Sequence, residues 1–333
     1  MATETSTRST TFRTRVSHTA RVLSTDQVVR RTLQLVAIVV LVVIGLFFLQ
    51  LIVEAVPVLN KMGIVRFLFD NDWDIAHEIF GAWPLVVGTL ITSAISLVIG
   101  VPIAVAAAIY ITEFSPARLR GALALLLDLL AAIPSVVYGL WGVFILIPTL
   151  KPIELWVSTT FHFIPFVGGT VTGPNYFIAG LILAIMIIPI VSAISREVLT
   201  TVPLPEKEAA LALGATHWEM IRLAVLPHSK AGIASAAMLG LGRAIGETIA
   251  VTLVIGNAAV IGGSIFSQGY TLAAVIANEF GEAESGSIHA SALIAAGMVL
   301  FVLTLIVNGI ARWLVLRKAS DKPSGSIADR AVA

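Results

Sequence analysis

The chain has 333 residues, of which 57% are apolar and 12% are charged, and its mean hydropathy is +0.96. A soluble domain carries about 25% charged residues, so much of this chain must face lipid. The net charge of +1 argues against a nucleic-acid partner, and the lack of cysteine excludes disulfides, thiolate catalysis and cysteine-based metal sites.

The N-terminal segment, residues 1–32, is polar and contains six arginines. The apolar run that follows, 33–53, has 21 residues, which exceeds the roughly 7–15 residues of a signal-peptide core. It is therefore predicted to be a retained transmembrane helix that follows a cytoplasmic basic tail. A periplasmic loop is predicted after it, over 54–87.

Six segments are apolar over the roughly 20 residues that a membrane span requires. They are 33–53, 88–112, 121–146, 177–195, 232–256 and 290–314. Pro134 is expected to kink the third, and the segment 147–176 after it is apolar but broken, so it either lies at the membrane interface or re-enters the membrane. The chain is thus predicted to be an all-α membrane protein with six transmembrane helices. The last five form one core over 88–314, before a cytoplasmic tail at 315–333.

The distribution of Lys and Arg sets the orientation of such a protein. With both termini in the cytoplasm, 17 of the 21 basic residues lie on the inner side, and 3 lie outside, namely Lys61, Arg66 and Lys151. The remaining one, Arg243, lies within a span. This asymmetry favours an even number of spans, with N- and C-termini in the cytoplasm.

The first outer loop carries Asp70, Asp72 and Asp74, which match the start of a calcium-binding loop. An EF-hand needs Gly directly after the third Asp and Glu as its closing ligand. Ile75 and Gly81 occupy those places. No metal site is therefore predicted.

Spans two and three contain polar side chains whose role the residues alone leave open. Four hydroxyl residues share one face of span two: Thr89, Thr92, Ser93 and Ser96. They either line a path or hold neighbouring helices together, and helix contact is favoured. Asp128 is expected to pair with Arg118 or Arg120. At the expected kink, Ser135 and Tyr138 are candidate substrate contacts, because a broken helix frees polar groups there.

The cytoplasmic loop 205–227 is predicted to form two short helices along the membrane surface, between spans four and five. Gly214 is expected to end the first helix as a C-terminal cap. Thr216 and Glu219 have the spacing of a capping box, which begins the second helix. Pro227 is predicted to end that second helix.

The same loop contains, in order, Glu208, Ala209, Ala210, Gly214, Leu226 and Pro227. This pattern resembles the EAA loop of bacterial ABC-importer permeases. The resemblance implies a type I ABC-importer permease fold, in which the loop forms a coupling helix that docks into a cytoplasmic ATPase. The alternative is an amphipathic helix that lies on the lipid headgroups.

The chain lacks the Gly-Lys pair of a phosphate-cradling Walker A loop. ATP hydrolysis, with its ATP and Mg²⁺, is therefore expected in a separate subunit. No cofactor and no catalytic residue are predicted in this chain, so it is not expected to be an enzyme.

Span five contains two charged residues, Arg243 and Glu247, and each charge costs about 2.5–3.5 kcal/mol at mid-bilayer. Their i, i+4 spacing predicts that they share one helical face. Arg offers a planar fork that binds an oxyanion through two hydrogen bonds. A carboxylate only accepts hydrogen bonds, so it would repel sulfate but could accept the proton of hydrogen-phosphate. A structural ion pair that neutralises itself is the other interpretation.

Three stretches, 242–248 in span five, 71–81 in the outer loop and 132–142 in span three, resemble the phosphate-specific transport permeases of the PstC type. The resemblance covers about residues 64–314. It implies inorganic phosphate as the substrate and places Arg243 and Glu247 on its path.

The resemblance also implies an assembly in the bacterial cytoplasmic (inner) membrane. Its expected members are this chain, a second homologous permease subunit, two copies of an ATP-binding subunit and an extracytoplasmic phosphate-binding protein. Two alternatives are an ABC permease for another oxyanion or small solute, and a secondary transporter or scaffold that works without ATP.

Overall fold

The computed structural model describes the backbone of residues 6–320 and the side chains of residues 27–313. The described elements are helices, apart from one short β-hairpin. The chain forms two compact units, Met1–Glu54 and Ala55–Ala333. The predicted tails at 1–32 and 315–333 fall largely outside the part whose side chains are described.

Helix α1 (Ser6–Met62) includes a candidate membrane span, Gln27–Met62, with a mean hydropathy of 3.2. Its leucine, valine and isoleucine side chains between 33 and 53 are mostly exposed, as expected of a helix surrounded by lipid. The predicted first span lies inside this helix. Residues 54–62, predicted as loop, are helical instead.

A short outer segment opens the second unit. Helix α2 (Ile64–Phe69) is followed by strands β1 (Trp73–Asp74) and β2 (Ile79–Phe80), which pair antiparallel with Trp73 opposite Phe80. The pair is too short to form a sheet of its own, so its place depends on the helices beneath it.

Two long helices form the centre of the second unit: α3 (Trp83–Ile109), extended by a π-helical turn to Phe114, and α7 (Tyr176–Thr200). Glycines allow their backbones to approach closely. A Cβ on Gly180 would lie 2.6 Å from the Ile95 Cβ, and one on Gly100 would lie 2.8 Å from Ile187 Cγ1. Small residues of this kind allow membrane helices to pack without a hydrophobic driving force.

The hydroxyl face of span two belongs to this packed interface. Thr89, Thr92, Ser93 and Ser96 are all buried. Thr89 Oγ1 donates to Leu85 O (2.7 Å) and accepts from Leu272 N (3.0 Å). These side chains therefore hold helices together and do not line an open path.

The third predicted span, 121–146, is displaced in the structure. Helix α4 (Ala117–Ala131) ends before Pro134, and α5 (Ser135–Trp141), a π-helical turn and α6 (Ile147–Thr160) then form one continuous apolar helix over Ser135–Thr160. Pro134 ends the first helix because it lacks an N–H and its ring opposes the preceding turn. Of the segment 147–176, predicted to be broken, residues 147–160 are helical, with Pro148 in the first turn of α6 directly after the π turn, whereas residues 161–175 are not helical.

The loop predicted to be cytoplasmic contains α8 (Leu204–Ala212) and α9 (His217–Met220). Gly214 has a φ of +86°, as a C-terminal glycine cap requires. The predicted capping box is present, with Thr216 N donating to Glu219 Oε2 (2.8 Å) and Glu219 N to Thr216 Oγ1 (3.3 Å).

The prediction that Pro227 ends the second helix is wrong. A π-helical turn, Ile221–Val225, joins α9 to α10 (Leu226–Ile245) without interruption. In this turn Leu226 N donates to Ile221 O, five residues back, so the wider turn admits a proline that has no N–H of its own.

The remaining helices are α11 (Ile249–Ile255), α12 (Leu272–Glu279) and α13 (Ile288–Ser320). Among the described residues, five helices are long and apolar enough to span a membrane, and the bent pair His217–Ile245 with Ile249–Ile255 makes six if it is counted as one broken span. This agrees with the six predicted transmembrane helices.

Candidate functional site

Arg243 lies two residues before the end of α10, at a break in the fifth span. Residues 246–248 are not helical, and α11 begins at Ile249 with its axis turned by 65°. Glycine costs about 1 kcal/mol relative to alanine inside a helix, and Gly242 and Gly246 flank Arg243 on either side. The local sequence therefore favours a break at this place.

The break corrects the prediction that Arg243 and Glu247 share one helical face. Arg243 is in the helix, whereas Glu247 is in the non-helical segment after it. The ion pairs formed among residues 27–313 include neither of them. The self-neutralising pair is thus not formed in this structure.

The surface around Arg243 is open. Arg243 is exposed and Glu247 is partly exposed, while Ala244 and Ile245 between them are buried. A Cβ on Gly242 would have no atom within 4 Å. A guanidinium on such a face is accessible to a ligand or to another subunit.

Helix α5 packs alongside α11. A Cβ on Gly139 would lie 3.0 Å from Ala250 Cα, and one on Gly142 would lie 2.8 Å from Val254 Cγ1. The contacts advance in the same direction along both helices, so the helices are parallel. Their first residues therefore lie at the same end, and each directly follows a break between two helices.

Tyr138, on the first turn of α5, lies within electrostatic reach of Arg243. Its hydroxyl donates to Leu130 O (2.8 Å), the next-to-last residue of α4, and so ties α4 to α5 across the break. Ser135 is the first residue of α5 and is partly buried. Arg243 and Tyr138, which the sequence suggested separately, are therefore within electrostatic reach of each other.

The predicted partner of Asp128 is also corrected. The nearest cation is neither Arg118 nor Arg120 but Arg196 on α7, whose Nη2 lies 3.9 Å from Asp128 Oδ1. The two residues are far apart in the chain, so helix spacing alone could not indicate this contact.

The second candidate surface is the pair of helices α8 and α9, called here the cytoplasmic helix pair because the charge distribution predicts that side for it. Glu208, Ala209 and Gly214 are exposed, and Ala210 packs against the buried cluster that includes Met220. Leu226 and Pro227 are partly buried where the chain turns into α10.

This surface carries large apolar side chains that no described residue covers. Leu213 is 89% exposed, and Trp218 and Leu223 are also exposed. Exposed apolar patches of this kind are typical of surfaces that bind another protein or a membrane.

One contact of this surface could not be predicted from the sequence pattern. Lys207 Nζ on α8 lies 2.6 Å from Glu113 Oε1, in the π-helical turn at the inner end of α3. It joins the loop directly to a membrane span.

A cavity of about 640 Å³ lies between the hairpin and the segment before α12. Trp73 Nε1 donates to Glu279 Oε2 (3.0 Å), which also contacts His289 Nε2 (3.0 Å). A hydrogen bond from His77 lowers the pKa of Asp74. Among the described residues, no group of three or more His, Asp or Glu side chains is arranged to hold a metal ion.

Comparison with known proteins relates this chain to a family of membrane transport proteins. Residues 100–320 match the family described as the binding-protein-dependent transport system inner membrane component. The phosphate transport system permease protein PstC of Mesorhizobium japonicum is 42% identical over 298 residues, which cover 88% of this chain and 90% of the relative. PstC of Haemophilus influenzae is 37% identical over 302 residues, 89% of this chain and 95% of the relative. PstC 2 of Mycobacterium tuberculosis is 42% identical over 281 residues, 82% and 86% respectively.

The fold is shared with a solved bacterial ABC transporter involved in the import of the acidic polysaccharide alginate. The TM-score is 0.51 at 18% identity, over 82% of this chain and 96% of that one. At this identity the similarity concerns the fold alone.

The chain therefore belongs to the inner membrane permease components of binding-protein-dependent ABC transporters. Such a component is not itself an enzyme, and it works with an ATPase and a binding protein. Within this class, the chain belongs to the PstC family of phosphate transport system permease proteins.

Proposed function

We propose that this chain forms half of a pathway that carries inorganic phosphate across the cytoplasmic membrane by alternating access, with both of its termini in the cytoplasm. The observation that carries the proposal is the exposed guanidinium of Arg243 at a break within a membrane span, outside the ion pairs of residues 27–313. A charge in that position is costly, and such charges mark ion and substrate paths.

The chemistry of the site fits a protonated oxyanion. Arg243 offers a planar fork of donors, which suits a tetrahedral oxyanion. Tyr138, in the first turn of the helix Ser135–Thr160, is within electrostatic reach of Arg243, and the positive end of a helix dipole favours an anion. Glu247, partly exposed in the break, supplies an acceptor for the proton of hydrogen-phosphate.

The names of the relatives support the same substrate, since they are described as phosphate transport system permeases. We expect the phosphate to arrive from an extracytoplasmic phosphate-binding protein. The remaining half of the pathway would be a second, homologous permease subunit.

The cytoplasmic helix pair would bind the ATPase. The exposed Glu208, Ala209 and Gly214 and the apolar Leu213 and Trp218 form a protruding surface of the kind that fits a cleft. Because α9 continues into α10 without interruption, movement of this surface would reach Arg243 through one helix. Two ATPase copies would serve the two permease subunits.

Uptake of radiolabelled phosphate by cells without a high-affinity system of their own tests the site. Arg243→Gln should reduce uptake at least about tenfold, since a hydrogen bond to a charged group contributes about 1.5–3 kcal/mol. Lys230→Gln, which removes an exposed cation from the same helix, is the matched control and should leave uptake near normal. Full uptake by normally inserted Arg243→Gln protein would exclude the proposed role.

Competition tests the substrate. Excess unlabelled phosphate should suppress uptake, and equal sulfate should not, because the carboxylate of Glu247 repels an oxyanion without a proton. Equal suppression by both would favour a permease for another oxyanion.

A further inference from the structure

A second cavity, of about 660 Å³, lies between α4 and the end of α7. It is lined by Thr112, Ala117, Arg120, Gly121, Ala124, Ala193, Ile194, Arg196, Glu197 and Thr200. Helix α7 ends at Thr200 and α8 begins at Leu204, so the cavity opens on the side of the membrane that carries the cytoplasmic helix pair.

Two arginines from different helices, Arg120 on α4 and Arg196 on α7, line this cavity. Arg196, on α7, has a side chain that is only 20% exposed, and its Nη1 is buried without a hydrogen-bond acceptor among the described residues. Its contact with Asp128 is long, at 3.9 Å, and Asp128 is 59% exposed. A carboxylate so solvated and so distant compensates the buried charge only weakly.

The second arginine of the cavity is also accessible to a ligand. Arg120, on α4, is exposed and makes one long hydrogen bond, from Nη2 to Ser115 O (3.4 Å). Two guanidinium groups in the lining of one cavity suit a phosphoryl group, whose several oxygens accept planar pairs of donors.

The other polar groups of the cavity act as acceptors. The hydroxyl of Thr112 donates to Ala108 O (3.0 Å) and that of Thr200 to Glu197 O (2.6 Å), which leaves their oxygen lone pairs to accept. The exposed Glu197 also lines the cavity. The ligand should therefore carry an O–H donor in addition to its phosphoryl anion.

We propose that this cavity binds a hydroxyl-bearing phosphoryl anion at the cytoplasmic side, held between Arg120 and Arg196. Hydrogen-phosphate and the headgroup of a hydroxylated anionic phospholipid share this chemistry. Binding would bridge α4 and α7, and α4 has no buried residue of its own. The inference goes beyond the proposed transport function and does not depend on Arg243.

The test uses the assembled transporter with Arg243→Gln as the common background, so that the proposed pathway does not contribute binding. In nanodiscs of phosphatidylcholine, equilibrium binding of radiolabelled inorganic phosphate is measured. In nanodiscs that also contain phosphatidylglycerol, native mass spectrometry counts the retained anionic lipid.

Arg196→Gln and Arg120→Gln should each weaken binding about tenfold or more in at least one arm. Arg118→Gln is the matched control, because Arg118 is exposed on the same helix as Arg120 but does not line the cavity. It should change binding less than about twofold. Arg196→Lys, which keeps the charge but loses the fork, should give an intermediate loss.

A loss confined to the phosphate arm identifies free phosphate as the ligand, and a loss confined to the lipid arm identifies a headgroup. If Arg196→Gln destabilises the protein, the binding measured for Arg120→Gln and Arg196→Lys tests the proposal instead. Equal binding by the cavity variants and Arg118→Gln in both arms would overturn the proposal. Neither arm measures transport, so failure here and failure of the proposed function are separable.

Discussion

Glu154 shows how a single buried carboxyl group is accommodated within a membrane span. Its side chain is only 2% exposed, and its hydrogen bonds come from Asn175 Nδ2, at 3.2 and 3.1 Å. The same amide accepts from Ile178 N (2.8 Å) and so caps the start of α7. One side chain therefore satisfies both a helix end and a buried acid.

Asn175→Ala is predicted to destabilise the protein clearly. It removes a helix cap, which contributes about 1 kcal/mol, and leaves the buried Glu154 without its donor, at a further cost of about 1–3 kcal/mol. The midpoint of thermal unfolding in mild detergent measures the loss. Glu154→Gln is the control, since it keeps an acceptor and removes the charge, and its midpoint should stay closer to that of the parent. Equal losses would contradict this account.

Glu247 is predicted to govern the choice between oxyanions. Glu247→Gln removes a charge that repels sulfate and adds an amide that can donate a hydrogen bond. Phosphate uptake should fall about tenfold, and excess sulfate should now compete. The exposed outer acid Glu284 provides the control, because Glu284→Gln should alter neither. Unchanged discrimination in Glu247→Gln would separate this residue from substrate selection.

At the scale of the elements, proline and glycine act according to their neighbours. Pro134 ends a helix, whereas Pro227 lies inside one because a π-helical turn precedes it. Gly240 packs against Val191 Cγ2, 2.7 Å from a built Cβ, while Gly242 on the same helix meets open space. The residue type determines which backbone conformations and close contacts are possible. The adjacent turn or helix determines which of them is adopted.

The elbow between α8 and α9 is predicted to depend on backbone conformation and not on side-chain volume. A Cβ on Gly214 would meet no atom within 4 Å, but its φ is +86°. A β-branched residue there is strained by roughly 1–3 kcal/mol, whereas Asn tolerates this region. Gly214→Val should therefore abolish uptake and loosen ATPase co-purification, with the protein still inserted. Gly214→Asn should retain most activity, and an equally severe defect in it would refute the conformational explanation.

At the scale of the whole molecule, long-range contacts connect the cytoplasmic surface to the spans. Lys207 and Glu113 are 18% and 7% exposed and lie 94 residues apart in the chain. Removal of one partner from such a pair leaves an uncompensated, largely buried charge. The pair is thus suited to carry movement of α8 to the inner end of α3.

Disruption of this pair is predicted to uncouple ATP use from transport. Glu113→Gln and Lys207→Gln should each lower the phosphate imported per ATP hydrolysed in proteoliposomes, and the charge swap Glu113→Lys with Lys207→Glu should restore part of it. The exposed pair of Glu206 and His228 (3.3 Å) is the comparison, and Glu206→Gln should have little effect. Parental stoichiometry in both single variants would argue against a coupling role.

The sequence alone was sufficient for the six spans, the glycine elbow at Gly214 and the capping box of Thr216 and Glu219. These features depend on hydropathy and on chemistry within a few residues, so they can be predicted without knowledge of how the helices pack. The resemblance of the cytoplasmic loop and span five to known permeases likewise lies within short stretches of sequence.

Only the tertiary structure decided where the spans break and which charges meet. Helical spacing placed Arg243 and Glu247 on one face, but the break at 246–248 separates them. The contacts of Arg196 with Asp128 and of Lys207 with Glu113 join distant segments. Periodicity reports the neighbours of a residue along one helix, whereas these contacts depend on which helices pack together, and that is settled by the energy of the assembled fold.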